Sequence, residues 1–201
     1  LFDREEFALL ADHLRPGGVF VDVGANAGAY TLWARRCVGD GGRVLAVEPD
    51  PEMRRRLEFN LRSNGIGNVE VCPVALSDRD GEGELLINPR QRGQNTLADD
   101  EAARAGGPRV AQRVKLLPLS DLLAQRGVVQ VDALKIDIEG HEPPVLTHFF
   151  AHAPRGLWPA LAITEYKPST AALIEELFTS RGYRRVLANR GNLAFRLEAM
   201  R

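Results

Sequence analysis

The residues of this chain best suited to chemistry lie together in Leu134-Lys135-Ile136-Asp137-Ile138-Glu139-Gly140-His141-Glu142, the densest group of ionisable side chains in an otherwise apolar neighbourhood. An imidazole titrates near neutrality, at about pH 6.5 when unperturbed, so His141 is the natural candidate for a general base. Asp137 could orient that base, face the positive end of a cofactor, or anchor an acceptor. The plainer alternatives are a solvated first-turn histidine at His141 and a carboxylate complementing a helix dipole at Glu142.

A second group surrounds a glycine turn, Val21-Asp22-Val23-Gly24-Ala25-Asn26-Ala27-Gly28. Gly24 and Gly28 would let the backbone approach a ligand, and the helix that follows would turn its amino-terminal dipole toward a carboxylate or phosphate. Otherwise the turn is a tight strand-to-helix connection that binds nothing. Glu48 stands about 20 residues beyond it, a spacing at which a strand-end acid accepts hydrogen bonds from both hydroxyls of a ribose. The two signals together select a nucleoside. Further along, Ala75-Leu76-Ser77-Asp78 offers an apolar patch for an adenine face, with Ser77 or Asp78 for its exocyclic amine, although Ser-Asp-Arg-Asp-Gly is also ordinary turn chemistry.

These residues can meet only if the elements between them bring successive strand ends to one edge of a sheet. The pattern does so. Asp3 to Leu14 reads as an amphipathic helix, with Asp3 and Glu6 at capping-box spacing and Phe7, Leu10 and Leu14 on one face, so residues 1–18 form an amino-terminal helical segment. Val19 to Val23 and Arg43 to Val47 read as buried parallel strands, each followed by a helix, the second opened by Asp50-Pro51. Strands follow at Val69 to Val74, Glu84 to Ile87, Val110 to Leu117, Val131 to Ile138 and Leu161 to Tyr166. Helices are expected at Leu119 to Gln125, Glu142 to Phe150 and Thr170 to Arg181. Tyr183 to Ala188 and Leu193 to Leu197 close the chain as a hairpin around Asn189-Arg190-Gly191-Asn192. The expectation is one α/β domain over residues 1–201, its mainly parallel sheet covered by helices on both faces and ending in an antiparallel strand.

Composition narrows the partners. With 26 basic and 27 acidic residues the formal charge is -1, so the basic footprint of a nucleic-acid-binding protein is missing and such a substrate is disfavoured. Lys115, Lys135 and Lys167 are the only lysines, an arginine bias read as codon composition. Cys37 and Cys72 are too few for a disulfide-stapled fold and fit a reducing cytoplasm. No apolar stretch approaches the roughly 20 residues of a membrane helix, and the expected protein is soluble. The chain starts at Leu1, which leaves room for natural sequence upstream, and nothing here fixes an oligomeric state.

The succession VDVGANAGAYTL, VLAVEPDP, NVEVCPVALSD, QNTL and LKIDIEGHE resembles the FkbM family of methyltransferases, over about Val19 to Tyr183. Each motif alone is common, whereas the five in this order are specific. The resemblance implies a Rossmann-like methyltransferase fold with seven core strands, S-adenosylmethionine as donor, and a small-molecule acceptor, often the oxygen of a sugar, polyketide or other natural product. It also implies that Asp22, Gly24, Asn26, Gly28, Tyr30, Thr31 and Glu48 lie along the cofactor, with Asp137 near its methyl and Gln94-Asn95-Thr96-Leu97 at the rim. A sulfonium methyl is already activated, so a hydroxyl acceptor needs alignment and removal of its proton, which returns the argument to His141.

Other readings stay in view. A nicotinamide-dependent oxidoreductase would also want a glycine turn and a ribose acid, but Asn26 stands where a middle glycine would admit a pyrophosphate. A non-catalytic nucleoside-binding protein would require the cluster from Asp137 to Glu142 to be inert. Asp137 and Glu165 sit at neighbouring strand ends and could hold a hard cation such as Mg²⁺. That reading is disfavoured, since no compact acidic triad is visible in the sequence. The stretch from residue 89 to 109 carries Arg90, Arg92, Arg104 and Arg109 beside Asp99, Asp100 and Glu101 without any period. It is expected to be a lid whose arginines could pair with an anionic acceptor.

Overall fold

A computed structural model describes residues 3–90, 92–98 and 109–198. Its large sheet has seven strands: β1 (Val19–Val23), β2 (Arg43–Val47), β3 (Val69–Cys72), β8 (Ala133–Ile136), β9 (Leu161–Glu165), β10 (Tyr183–Ala188) and β11 (Asn192–Leu197). Their order is β10-β11-β9-β8-β1-β2-β3, and only β11 runs against its neighbours. The continuous apolar runs of β1, β2, β8 and β9 are explained by burial on both faces, as expected of parallel strands under helices.

On one face, α1 (Arg4–His13), α2 (Ala29–Val38) and α3 (Pro51–Ser63) supply Leu10, Ala34, Val38 and Leu57, which pack against Phe20, Val44 and Ala46. On the other, α4 (Leu119–Gln125), α5 (Glu142–His152) and α6 (Ala171–Thr179) cover Val21, Val23, Leu45 and Leu134. Phe149, Phe178 and Phe195 are fully buried there, and burial of each such ring contributes roughly 1.5–3 kcal/mol. Among the described residues, no helix is long and apolar enough to cross a membrane.

Two expectations about the ends of the chain need correction. Asp3 does not cap α1: its φ is 58° and its side chain makes no capping bond. Glu6 does not complete a capping box either. It is buried and accepts hydrogen bonds from the Nδ2 groups of Asn189 (2.9 Å) and Asn192 (2.8 Å), tying α1 to the closing hairpin. The polar residues read as hairpin-turn chemistry therefore also anchor the first helix.

The segment between β3 and α4 folds as a sheet of its own. β4 (Ala75–Leu76), β7 (Val110–Leu117), β5 (Gly81–Ile87) and β6 (Thr96–Leu97) pair in that order, around Ala75, Leu85, Leu97, Val114 and Leu116. The sequence predicts β5 and β7 as strands but not their assembly into a second sheet, because β4 and β6 are two residues long and carry no periodicity.

Candidate functional site

The carboxyl ends of β1, β2 and β8 and one side of the small sheet border a cleft. Gly24, Asn26, Glu48, Asp137 and His141 line it, so the structure brings together five of the residues singled out from the sequence. Val74, Leu76, Leu85 and Ile138 give it an apolar wall, and Asn95, Thr96 and Leu97 give it the rim expected of the QNTL segment.

The glycine turn has a structural explanation different from the one its spacing suggests. Gly24 has φ +80°, and a Cβ there would stand 1.9 Å from the carbonyl oxygen of Asp137; Gly28 has φ +96°, and its Cβ would stand 2.5 Å from Cδ1 of Leu57. The missing side chains let the β8 loop and α3 close onto the turn. Between the two glycines Asn26 has a φ of 51°, which asparagine tolerates, and its side chain accepts from the N–H of Ala27 at 2.7 Å.

Glu48 is buried at the end of β2. Its Oε2 accepts from the N–H of Asn26 (2.8 Å) and its Oε1 from the N–H of Asp50 (2.9 Å). Each oxygen keeps acceptor capacity for one more donor, which is what two ribose hydroxyls require. Burial pushes its pKa up to about 7, against the pull of the two N–H groups.

Asp22 lies on the face of β1 beneath α2. Oγ1 of Thr31 donates to its Oδ2 at 2.5 Å, and its register partner on β8 is Lys135. Burial raises its pKa to about 6. Lys135 is itself buried, its ammonium 3.0 Å from Oδ2 of Asp137 and 5.1 Å from the centre of the Tyr30 ring. Asp22, Gly28, Tyr30 and Thr31 thus stand behind the lining, where Lys135 links two of them to Asp137.

Ser77 and Asp78 also stand outside the lining. Ser77 is buried, donates to Oδ1 of Asp78 (3.1 Å) and lies 3.2 Å from Nε2 of His141. The Ser77 hydroxyl thus bridges the Asp78 carboxylate and the His141 imidazole. Ser77 therefore orients the imidazole from behind. His141 is buried at the N-cap of α5, which excludes the solvated first-turn alternative.

Glu142 is buried, and its two oxygens accept from the N–H groups of Ile138 (2.7 Å) and Gly140 (3.0 Å), holding the turn that presents His141. Glu139 adopts φ 58° in that turn and lines the cleft, its pKa raised by burial and by the Asp137 charge to about 7. Glu165 has an Oε2 that is buried without a hydrogen-bond partner, and its pKa is raised by burial and by Asp137 to about 8. The fold does assemble the acidic triad that the sequence hides: Asp137, Glu142 and Glu165 offer oxygens within 4.8 Å of one another. As a cation site it fits poorly, because Glu142 is occupied by main-chain donors and Lys135 already supplies positive charge to Asp137.

Three residues of the site were not predicted in the places they hold. Glu139 belonged to the dense ionisable cluster but carried no role. Arg92 was expected in a lid, and lines the cleft. Asp50 was read only as a helix cap. It does accept from the N–H of Glu52 at 2.8 Å, but its buried carboxylate also receives Nη1 of Arg92 (2.9 and 3.0 Å) and Nδ2 of Asn95 (2.8 Å). Of the other loop residues named, Arg90 is exposed and Arg109 donates to the carbonyl of Leu86, whereas Asp99, Asp100, Glu101 and Arg104 lie outside the described residues.

Comparison with known proteins shows the family and the fold. Residues 22–185 match the methyltransferase FkbM domain. The 31-O-demethyl-FK506 methyltransferase FkbM of Streptomyces tacrolimicus is 30% identical over 85% of this chain and 73% of its own length. Among solved structures, a methyltransferase FkbM from Methylobacillus flagellatus superposes with a TM-score of 0.56 at 16% identity, over 96% of this chain and 58% of that one. A putative methyltransferase from Streptococcus mutans, solved in complex with SAH, superposes with a TM-score of 0.60 at 8% identity over 96% of both chains.

Proposed function

Because the chain belongs to the FkbM methyltransferase family and is thereby an S-adenosylmethionine-dependent methyltransferase, we propose that it methylates a hydroxyl oxygen of a small molecule, sugar or natural product. The observation that carries this reading is the placement of His141, oriented by Ser77, in the same cleft as Glu48 and Asp137. When bound, S-adenosylmethionine supplies a methyl group already activated on a sulfonium.

The residues fit that donor. Glu48 offers both oxygens to the ribose hydroxyls, Val74, Leu76 and Ile138 offer an apolar wall to the adenine, and Asp137 with Glu139 offers negative charge to the cationic end. Lys135 keeps Asp137 in place. His141 takes the acceptor's proton while Ser77 holds the ring at Nε2. The small sheet and the rim wall one side of the cleft. No step calls for a metal, and the acceptor class leaves nucleic acid aside because the chain carries no excess of positive charge.

Calorimetric titration with S-adenosylhomocysteine, with NADH in parallel and a repeat in EDTA, tests the donor. Stoichiometric binding of the first ligand alone, unchanged by EDTA, is expected. Radiolabelled methyl transfer to a panel of hydroxyl and amine small molecules, ribosomal RNA and ribosomal protein then tests the acceptor. Transfer confined to amines, RNA or protein would overturn the acceptor class while leaving the donor intact.

A further inference from the structure

The segment from Arg92 to Leu97 crosses the mouth of the cleft and reaches the small sheet through β6, which pairs with β5. On the far side it is attached to a buried carboxylate. Asp50, fully buried, receives Nη1 of Arg92 on both oxygens and Nδ2 of Asn95 on Oδ2. Asn95 is held from the opposite end as well, since its Oδ1 accepts from the N–H of Asn88 at 2.9 Å, just beyond β5. The main-chain N–H of Asp50, in turn, donates to Oε1 of Glu48. One residue therefore fixes the ribose-binding acid through its backbone and the rim of the cleft through its side chain.

We propose that Asp50 is a positioning residue that latches the Arg92–Leu97 strap over the bound cofactor, so that release of the Asp50–Arg92–Asn95 contacts is the step that opens the cleft for cofactor exchange. This rests on S-adenosylmethionine occupying the cleft. A helix cap alone needs one oxygen toward Glu52 and gives no reason for an arginine and an asparagine more than 40 residues away to converge on the same carboxylate. A charge-assisted hydrogen bond to a buried carboxylate is strong enough to hold a strap closed, and Arg92, about one third exposed, is accessible enough to let go.

The test uses the whole chain with S-adenosylhomocysteine as the probe, measuring affinity by calorimetry, dissociation by stopped-flow displacement, and hydrogen exchange over 92–97 with and without the ligand. Arg92→Met and Asn95→Ala should each release the ligand about tenfold faster or more, equivalent to about 1.4 kcal/mol, while association changes little. Arg92→Lys should recover part of the loss. The ligand should protect 92–97 from exchange in the wild type and fail to do so in Arg92→Met. Asp50→Asn should show the largest effect, and the double variant Asp50→Asn/Arg92→Met should be no worse than Asp50→Asn alone. If Asp50→Asn does not fold, the two strap variants decide. Wild-type release rates in both of them, from a wild type that binds the ligand, would overturn the latch. A wild type that binds no S-adenosylhomocysteine would overturn the latch together with the donor reading beneath it.

Discussion

Glu48 shows how a single side chain can be set for recognition before any ligand arrives. Two main-chain N–H groups fix its orientation, and burial lifts its pKa to about 7. Glu48→Ala should weaken S-adenosylhomocysteine binding at least about 10- to 100-fold by calorimetry, since even one hydrogen bond to a carboxylate is worth roughly 1.5–3 kcal/mol. Only the ionised form accepts from both hydroxyls, so affinity should also fall as pH drops below about 7 in the wild type and show a flatter profile in the variant. His141→Ala should instead lower kcat by about 10²- to 10⁴-fold with ligand affinity within about twofold; full turnover at neutral pH would remove His141 from the chemistry. The meeting of Glu48 and His141 in one cleft was legible because both stand just beyond the ends of parallel strands. The role of Asp50 was not, because an Asp before a proline satisfies the rule for a helix cap, and the partners that give it a second role come from a segment with no periodicity.

At the scale of elements, strands β1, β2 and β7 and helix α4 fall where the apolar runs and turn residues place them, since each is long enough to carry a pattern and is bounded by Gly, Pro or Asp. The failures are long-range. Asp3 and Glu6 have the spacing of a capping box, yet tertiary contact recruits Glu6 to the hairpin, and the small sheet depends on two-residue strands that only their neighbours define. Glu6→Ala should therefore cost about 1–3 kcal/mol in denaturant unfolding, because the buried Asn192 amide loses its Glu6 acceptor and Asn189 keeps only the exposed contact to Glu5, whereas the loss of an isolated first-turn carboxylate would cost far less. Gly24→Ala should be at least as damaging, for a Cβ has no space beside the Asp137 carbonyl and the positive φ disfavours it independently. A soluble, fully stable Gly24→Ala protein would show that the β1 and β8 loops need not touch.

For the molecule as a whole, the site is an electrostatic load on the fold. Asp22, Glu48, Glu139 and Glu165 all have pKa values raised in the folded state, chiefly by burial, to about 6, 7, 7 and 8. Between the unfolded and folded values the native protein binds more protons than the unfolded chain, so stability falls as pH rises through that window. His13, whose pKa burial lowers, works the other way near its ordinary value, but it is one group against four. Scanning calorimetry of the ligand-free protein should find a higher Tm at pH 5.5 than at pH 8; a Tm that rises over this range would contradict the burial of these carboxyls. The small sheet has a consequence of another kind. It enters the chain after β3 and leaves it before β8, two strands that never pair with each other, so the seven-strand register makes no demand on what lies between. Such an insert is a cassette only within limits: residues 75–117 could be exchanged between relatives as a unit, on the condition that the graft keeps Leu76 on the cleft wall, a hydroxyl beside His141, and an arginine and an asparagine able to reach Asp50.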